Sequence, residues 1–203
     1  MAIRIENKIT FIHIPKNAGT SISRHIMKNY KYQISSKQHD AYKKIPILWK
    51  DNVFVVIRNP FDRLVSLFEH DKKTFFKKRK NHSLINWSYQ ECLKGFNHWV
   101  QHHRNTRFFK TNNGVRRKFA WGDQKQIKFF PLSNINVTVI RFENLIDDLN
   151  NLFLKNKLKV FSNLPKDNVS VANKNYKDYY DNKSKTIVEN IFKDELEFFN
   201  YSF

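Results

Sequence analysis

Apolar residues in this chain come in short blocks separated by Lys- and Asn-rich polar stretches, and the blocks alternate between strand-like and helix-like spacing. Lys8–Ile14 predicts a strand that breaks into a tight polar turn, and Thr20–Asn29 predicts the helix that follows. Tyr30–Ile34 predicts a short second strand, while Pro46 confines any helix within His39–Trp49 to its first part. Val53-Phe54-Val55-Val56-Ile57 is a near-continuous β-branched and aromatic run, the pattern of a strand buried on both faces of a parallel sheet. Pro60 marks a helix start, where its missing N–H costs little, and Leu64, Leu67 and Phe68 follow at helical spacing. Asn86–His103 predicts another helix, Arg104–Lys128 a polar, basic excursion, Val137-Thr138-Val139-Ile140 a later core strand, and Glu143–Asn156 a helix. The last helix, about Asn182–Asn200, places Ile187, Val188, Ile191, Phe192, Leu196 and Phe199 on one face. Strand–helix alternation without repeats or a Pro/Gly/Ser linker predicts one α/β domain over residues 1–203, with a central parallel β-sheet flanked by helices.

Where the first strand meets its helix the chain reads Ile14-Pro15-Lys16-Asn17-Ala18-Gly19-Thr20-Ser21. A helix start presents unpaired N–H groups and the positive end of the macrodipole, and so attracts phosphate. Lys16 adds a point charge there, and Thr20 and Ser21 add hydroxyl donors. The ordinary alternative for Thr20 and Ser21 is N-capping, which is compatible with the same role. The turn is no Walker A loop, because Lys16 precedes Gly19 by three residues and no earlier Gly is present. A kinase or NTPase of the P-loop type also wants a Mg²⁺-holding Asp at the end of a neighbouring buried strand. The strand Val53–Ile57 ends instead in Arg58, which repels Mg²⁺ and welcomes a second phosphate. Ser66, about two helical turns into the next helix, can meet the same anion if the two strands are neighbours.

Composition sharpens this picture. Lys plus Arg total 37 against 18 Asp plus Glu, a net charge of +19, which favours a polyanionic partner or, more plainly, a soluble basic surface. Hydrophobic residues make up 40% and the 19 Phe give bulk, so a packed core is expected. Cys92 stands alone, which excludes an intrachain disulfide and fits a reducing compartment. No apolar run approaches the ~20 residues of a membrane span, and Met1-Ala2-Ile3-Arg4 runs straight toward the first strand. The expectation is a cytoplasmic protein.

The two elements together resemble the sulfotransferases that use 3′-phosphoadenosine-5′-phosphosulfate (PAPS). In that family an opening like Phe11-Ile12-His13-Ile14-Pro15-Lys16-Asn17-Ala18-Gly19-Thr20-Ser21 binds the 5′-phosphosulfate, and the pattern Arg58-x-Pro60-x-x-Arg63-x-x-Ser66 resembles its 3′-phosphate element. Val139-Ile140-Arg141-Phe142-Glu143-Asn144-Leu145, and the ending from Tyr176 to Phe203, are similar to the carbohydrate branch, bacterial and Golgi. The resemblance implies a P-loop-like fold and sulfuryl transfer from PAPS to a carbohydrate hydroxyl, without a metal. It implies cofactor contacts at Lys16, Asn17, Ala18, Gly19, Thr20, Ser21, Arg58 and Ser66, with Lys16 also stabilising the leaving group. Asn17 stands where many relatives carry Thr, and Asn can still donate to phosphate.

Transfer to a hydroxyl needs a base. The candidate is His39, because similar carbohydrate sulfotransferases place a catalytic His in that interval; Glu69 and His70 are the reserves. Arg63 has a structural alternative, pairing with Asp62 or Glu143, and His13, inside the strand, reads as packing or as a support behind the site. Residues 71–136 carry no part of the resemblance and are expected to form the variable, basic acceptor side. There the run Lys72 to Lys80 is ordinarily a solvated face. Joined with Arg104, Arg107, Arg116, Arg117 and Lys118 it would receive an acidic glycan, with nucleic acid as the rival. His98, His102 and His103 have no further ligand at sensible spacing, so no metal site is expected. Two rival functions remain: a P-loop-type nucleotide kinase or NTPase, and a non-catalytic basic nucleic-acid-binding protein.

Overall fold

A computed structural model describes residues 1–35, 42–77, 92–103, 109–110, 116–117, 125–133, 136–160 and 175–203. The chain divides into two compact units, Met1–Arg58 with Gln124–Asp167, and Asn59–Asp123 with Asn168–Phe203.

The first unit is a five-stranded sheet with helices. Its strands are β1 (Ala2–Ile5), β2 (Ile9–Ile12), β3 (Tyr32–Ile34), β4 (Val53–Ile57) and β7 (Val137–Arg141), in the spatial order β3-β1-β2-β4-β7. β2 pairs parallel with β4, and β4 parallel with β7, so the α/β fold with its parallel centre is as expected. β1 is an addition. It runs antiparallel to both β2 and β3, which makes the sheet mixed. The turn joining β1 to β2 holds Glu6 and Asn7 at φ 49° and 55°, a left-handed geometry that hairpins ordinarily signal with Gly. With Glu and Asn there instead, the hairpin is invisible in the sequence.

All five residues of β4 are buried, as its apolar run demands. β7 ends the described sheet and buries only Ile140, so it is an edge rather than the core strand its composition suggested. Helices α1 (Gly19–Asn29) and α4 (Leu145–Lys155) are the α-helices among the described residues of this unit. Ile22 and Ile26 of α1, and Leu149, Leu152 and Phe153 of α4, pack into one cluster with Ile3, Ile5, Ile9, Phe11, Phe54 and Val56. Phe54 stacks on Phe11 at 5.0 Å and meets Phe153 edge-on at 6.1 Å.

The second unit holds α2 (Pro60–Lys77), α3 (Phe96–His103) and α5 (Asn182–Phe199), with a two-residue pair, β5 (Phe109–Lys110) and β6 (Arg116–Arg117). Phe61, Leu64, Val65, Leu67 and Phe68 of α2 pack with Phe96, Trp99 and Val100 of α3 and with Val188 and Phe192 of α5. Asn59 starts α2: its Oδ1 accepts from the Phe61 N–H at 3.0 Å, an N-terminal cap, while its Nδ2 donates to the Ser202 carbonyl at 2.8 Å. Phe203 then lies edge-on to Phe61 at 4.9 Å, with the ammonium of Lys185 4.7 Å from its ring centre.

Candidate anion site at the ends of the parallel strands

Parallel pairing brings the C-terminal ends of β2, β4 and β7 to one edge of the sheet, the position at which open α/β sheets bind ligands. The turn after β2 emerges at this edge, and so do Arg58, which follows β4, and Arg141, the last residue of β7.

The turn is held in an unusual shape. Lys16 and Ala18 both sit in left-handed backbone conformation, at φ 70° and 58°, with Asn17 between them. That geometry costs a non-glycine residue about 1 kcal/mol each and persists only where neighbours enforce it. Asn17 is the enforcing residue. It is 1% exposed, and its Nδ2 donates both to the Val56 carbonyl and to Gln126 Oε1, at 2.6 Å each. The first of these bonds extends the β2–β4 ladder past its last pair, Ile12 with Val55. Both side-chain hydrogens are thereby used, so Asn17 does not donate to phosphate through its amide as the sequence suggested. The side chain is a brace.

Gly19 opens α1 against the ring of His13. A Cβ on Gly19 would overlap Cδ2, Nε2 and Cγ of that imidazole, so glycine is required here by the packing of His13, just after β2, against the start of α1. His13 itself is buried and stacks with Phe11 at 6.1 Å, in keeping with a packing role. The start of α1 carries no side-chain cap and no acidic residue in its first turn. Its leading N–H groups and dipole are therefore directed at the same edge as Lys16. Thr20 is exposed there, and Ser21 is buried.

Arg58 meets this turn directly. Its Nη1 donates to the Lys16 carbonyl at 3.2 Å, and its guanidinium lies 4.2 Å from the ring centre of Phe142. Two motifs separated by some forty residues are thus one physical element, as the proximity of their strands predicts. Gln126 completes it and was missed by sequence reasoning. Fully buried, it accepts from the Arg58 N–H at Oε1 and donates to the Arg58 carbonyl from Nε2, each at 3.0 Å. Nothing in Lys125-Gln126-Ile127-Lys128 distinguishes it from an ordinary polar loop.

Ser66 and Arg63 belong to the second unit, on α2; Ser66 is half-buried and Arg63 is 1% exposed. On the same helix Glu69 Oε1 accepts from the Tyr179 hydroxyl at 3.2 Å, and His70 is exposed with Nδ1 3.5 Å from Asp71. His39 lies outside the described residues, as do most of the basic side chains expected on the acceptor side. His98 and His102 stack ring on ring at 3.9 Å.

The sulfotransferase family model matches residues 1–202. The chain belongs to the sulfotransferase family. No curated protein and no solved structure gives a significant match. Family membership supports sulfuryl transfer in general, and it fits an edge built from Lys16, Arg58 and an uncapped helix start. No helix among the described residues is long and apolar enough to cross a membrane, and among them no group of three or more His, Cys, Asp or Glu is placed to hold a metal ion.

Proposed function

We propose that this sulfotransferase moves a sulfuryl group from PAPS to a hydroxyl of a carbohydrate acceptor, as one cytoplasmic domain whose residues 71–136 face the acceptor. The observation that carries this reading is the joined element in which Arg58 donates to the Lys16 carbonyl beside the uncapped start of α1. Such an element suits an adenosine bearing phosphates at both its 5′ and 3′ positions better than a Mg²⁺-bound triphosphate, because cations stand where metal-holding carboxylates would be needed.

Bound there, PAPS would supply an activated sulfuryl group on a good leaving group. The backbone N–H groups of Lys16 to Ser21 would hold its 5′-phosphate, and Arg58 with Ser66 its 3′-phosphate. The Lys16 ammonium would neutralise charge on the oxygen that links phosphate to sulfur as that bond breaks. His39 would take the acceptor's proton as its oxygen attacks sulfur from the opposite side. Adenosine 3′,5′-bisphosphate would be the second product.

Titration calorimetry with adenosine 3′,5′-bisphosphate tests the binding half of this reading. The protein should bind it, with Lys16→Ala and Arg58→Ala each weakening the affinity about tenfold or more, the loss of a charge-assisted contact. Stabilisation by ATP with Mg²⁺ and none by the bisphosphate would overturn it in favour of a nucleotide kinase or NTPase. Incubation with PAPS and a panel of sugars then tests the acceptor class.

A further inference from the structure

Between β3 and β4 the chain reads Lys43-Lys44-Ile45-Pro46-Ile47-Leu48-Trp49-Lys50. Ile45 turns inward and is buried, but Ile47 and Leu48 are 82% and 81% exposed, the most exposed large hydrophobic residues described. The two are adjacent in the chain and flanked by lysines, so they form one apolar patch with a polar rim rather than two scattered surface residues. The segment is rigidly presented. It forms a 3₁₀ turn at Ile47–Trp49 in which the Trp49 N–H donates to the Pro46 carbonyl at 2.9 Å and the Lys50 N–H to the Ile47 carbonyl at 3.1 Å. The Trp49 carbonyl is pinned by the Thr10 hydroxyl at 2.8 Å, and the Tyr42 N–H donates to the Phe129 carbonyl at 2.7 Å.

The surroundings of this pair say what covers it. Lys43 and Lys44 are exposed and Lys50 is half-buried beside the Tyr42 ring, 5.1 Å from its centre. Among the described residues none of the three forms an ion pair. The neighbouring carboxylate, Asp51, is neutralised by a two-pronged bond to Arg4, at 2.6 and 2.9 Å. Aliphatic tips, a half-buried Trp and a collar of lysines form the pattern of a loop that enters an anionic lipid interface. A second copy of the chain suits it poorly, since each copy carries a net +19.

We propose that residues 43–50 dock this protein onto an anionic membrane surface. Ile47 and Leu48 enter the boundary between headgroups and acyl chains, and Lys43, Lys44 and Lys50 meet lipid phosphates. The loop is tied to Thr10, at the start of β2, whereas Lys16 and Arg58 lie beyond the opposite ends of β2 and β4. Docking therefore leaves the candidate anion site facing water. The inference does not depend on which reaction that site performs.

The test is sedimentation of the full chain with vesicles of phosphatidylcholine alone, or with about one quarter phosphatidylglycerol. Wild type should partition into the anionic vesicles at least about tenfold better than into the neutral ones, and Ile47→Ser/Leu48→Ser should lose about tenfold of that partitioning without losing the charges. Both positions are exposed, so the double variant is expected to fold. Leu48→Cys labelled with a polarity-sensitive dye gives an independent readout, because Cys92 is buried, and its emission should shift to the blue on anionic vesicles. Partitioning unchanged in the double serine variant would overturn the proposal, since charge alone would then account for binding. Absence of binding, an unshifted dye, or a dimer that dissociates in the serine variant would overturn it equally.

Discussion

Gln126 holds Arg58 by both of its backbone polar groups, accepting from the N–H and donating to the carbonyl at 3.0 Å each, as a neighbouring strand would. Because Gln126 Oε1 also accepts from Asn17, one buried amide sets the position of the Arg58 backbone and the shape of the Lys16 turn together.

Gln126→Ala should therefore leave buried polar groups of Arg58 and Asn17 without their partner. The expected cost is about 2–4 kcal/mol, from the desolvation penalty of each abandoned group. Urea unfolding measures it, and the surviving folded protein should bind adenosine 3′,5′-bisphosphate more weakly than wild type. A stability loss below about 0.5 kcal/mol would show that the clamp is not structural.

Gly19→Ala should destabilise by about 1–3 kcal/mol, the usual cost of forcing an atom into filled space. The atom it strikes is the His13 ring. The pair Gly19→Ala/His13→Ala should accordingly cost less than the sum of the two single changes. Strict additivity in thermal unfolding would mean that the glycine serves the backbone alone.

Tyr180 supplies a pH prediction. It is half-buried, its hydroxyl donates to the Phe61 carbonyl at 2.9 Å, and desolvation, helped by the nearby Asp62 charge, pushes its pKa far above the ordinary tyrosine value. The unfolded chain releases this proton from about pH 10, whereas the folded chain keeps it. The group's contribution is thus fully present below pH ~10 and declines as pH rises further, by up to about 1.4 kcal/mol per unit. Tyr180→Phe should cost about 1 kcal/mol at neutral pH and flatten the alkaline limb of the stability curve. Urea midpoints between about pH 8 and 11 decide it.

Lys16→Ala and His39→Ala should separate binding from chemistry under the proposed reaction. The first should weaken the bisphosphate complex and slow transfer. The second should lower kcat by about 10²–10⁴ while leaving the bisphosphate affinity unchanged. A His39→Ala enzyme with full kcat would move the role of base to another residue.

Local patterning carried much of this fold. The β4 run, the strand before Lys16 and the helices after Pro60 and Asn182 are legible because burial on both faces, and packing along one helical face, each force a distinctive spacing of apolar residues. The Lys16 and Arg58 elements are legible because helix starts and strand ends bring backbone donors and charges to predictable places. β1 left no such mark, since its turn uses Glu6 and Asn7 rather than glycine.

By itself, then, the amino-acid order determined an α/β chain with a cationic turn after one inner strand and an arginine after another. Only the folded structure decided that these lie side by side and touch, since strand neighbours follow from long-range pairing that no local window contains. It alone assigned Asn17 to bracing, Gly19 to the His13 ring and Gln126 to the Arg58 backbone. A side chain's hydrogen bonds depend on what burial brings within 3 Å of it, and for these three residues the partners stand far away along the chain or around a turn whose shape the sequence does not declare.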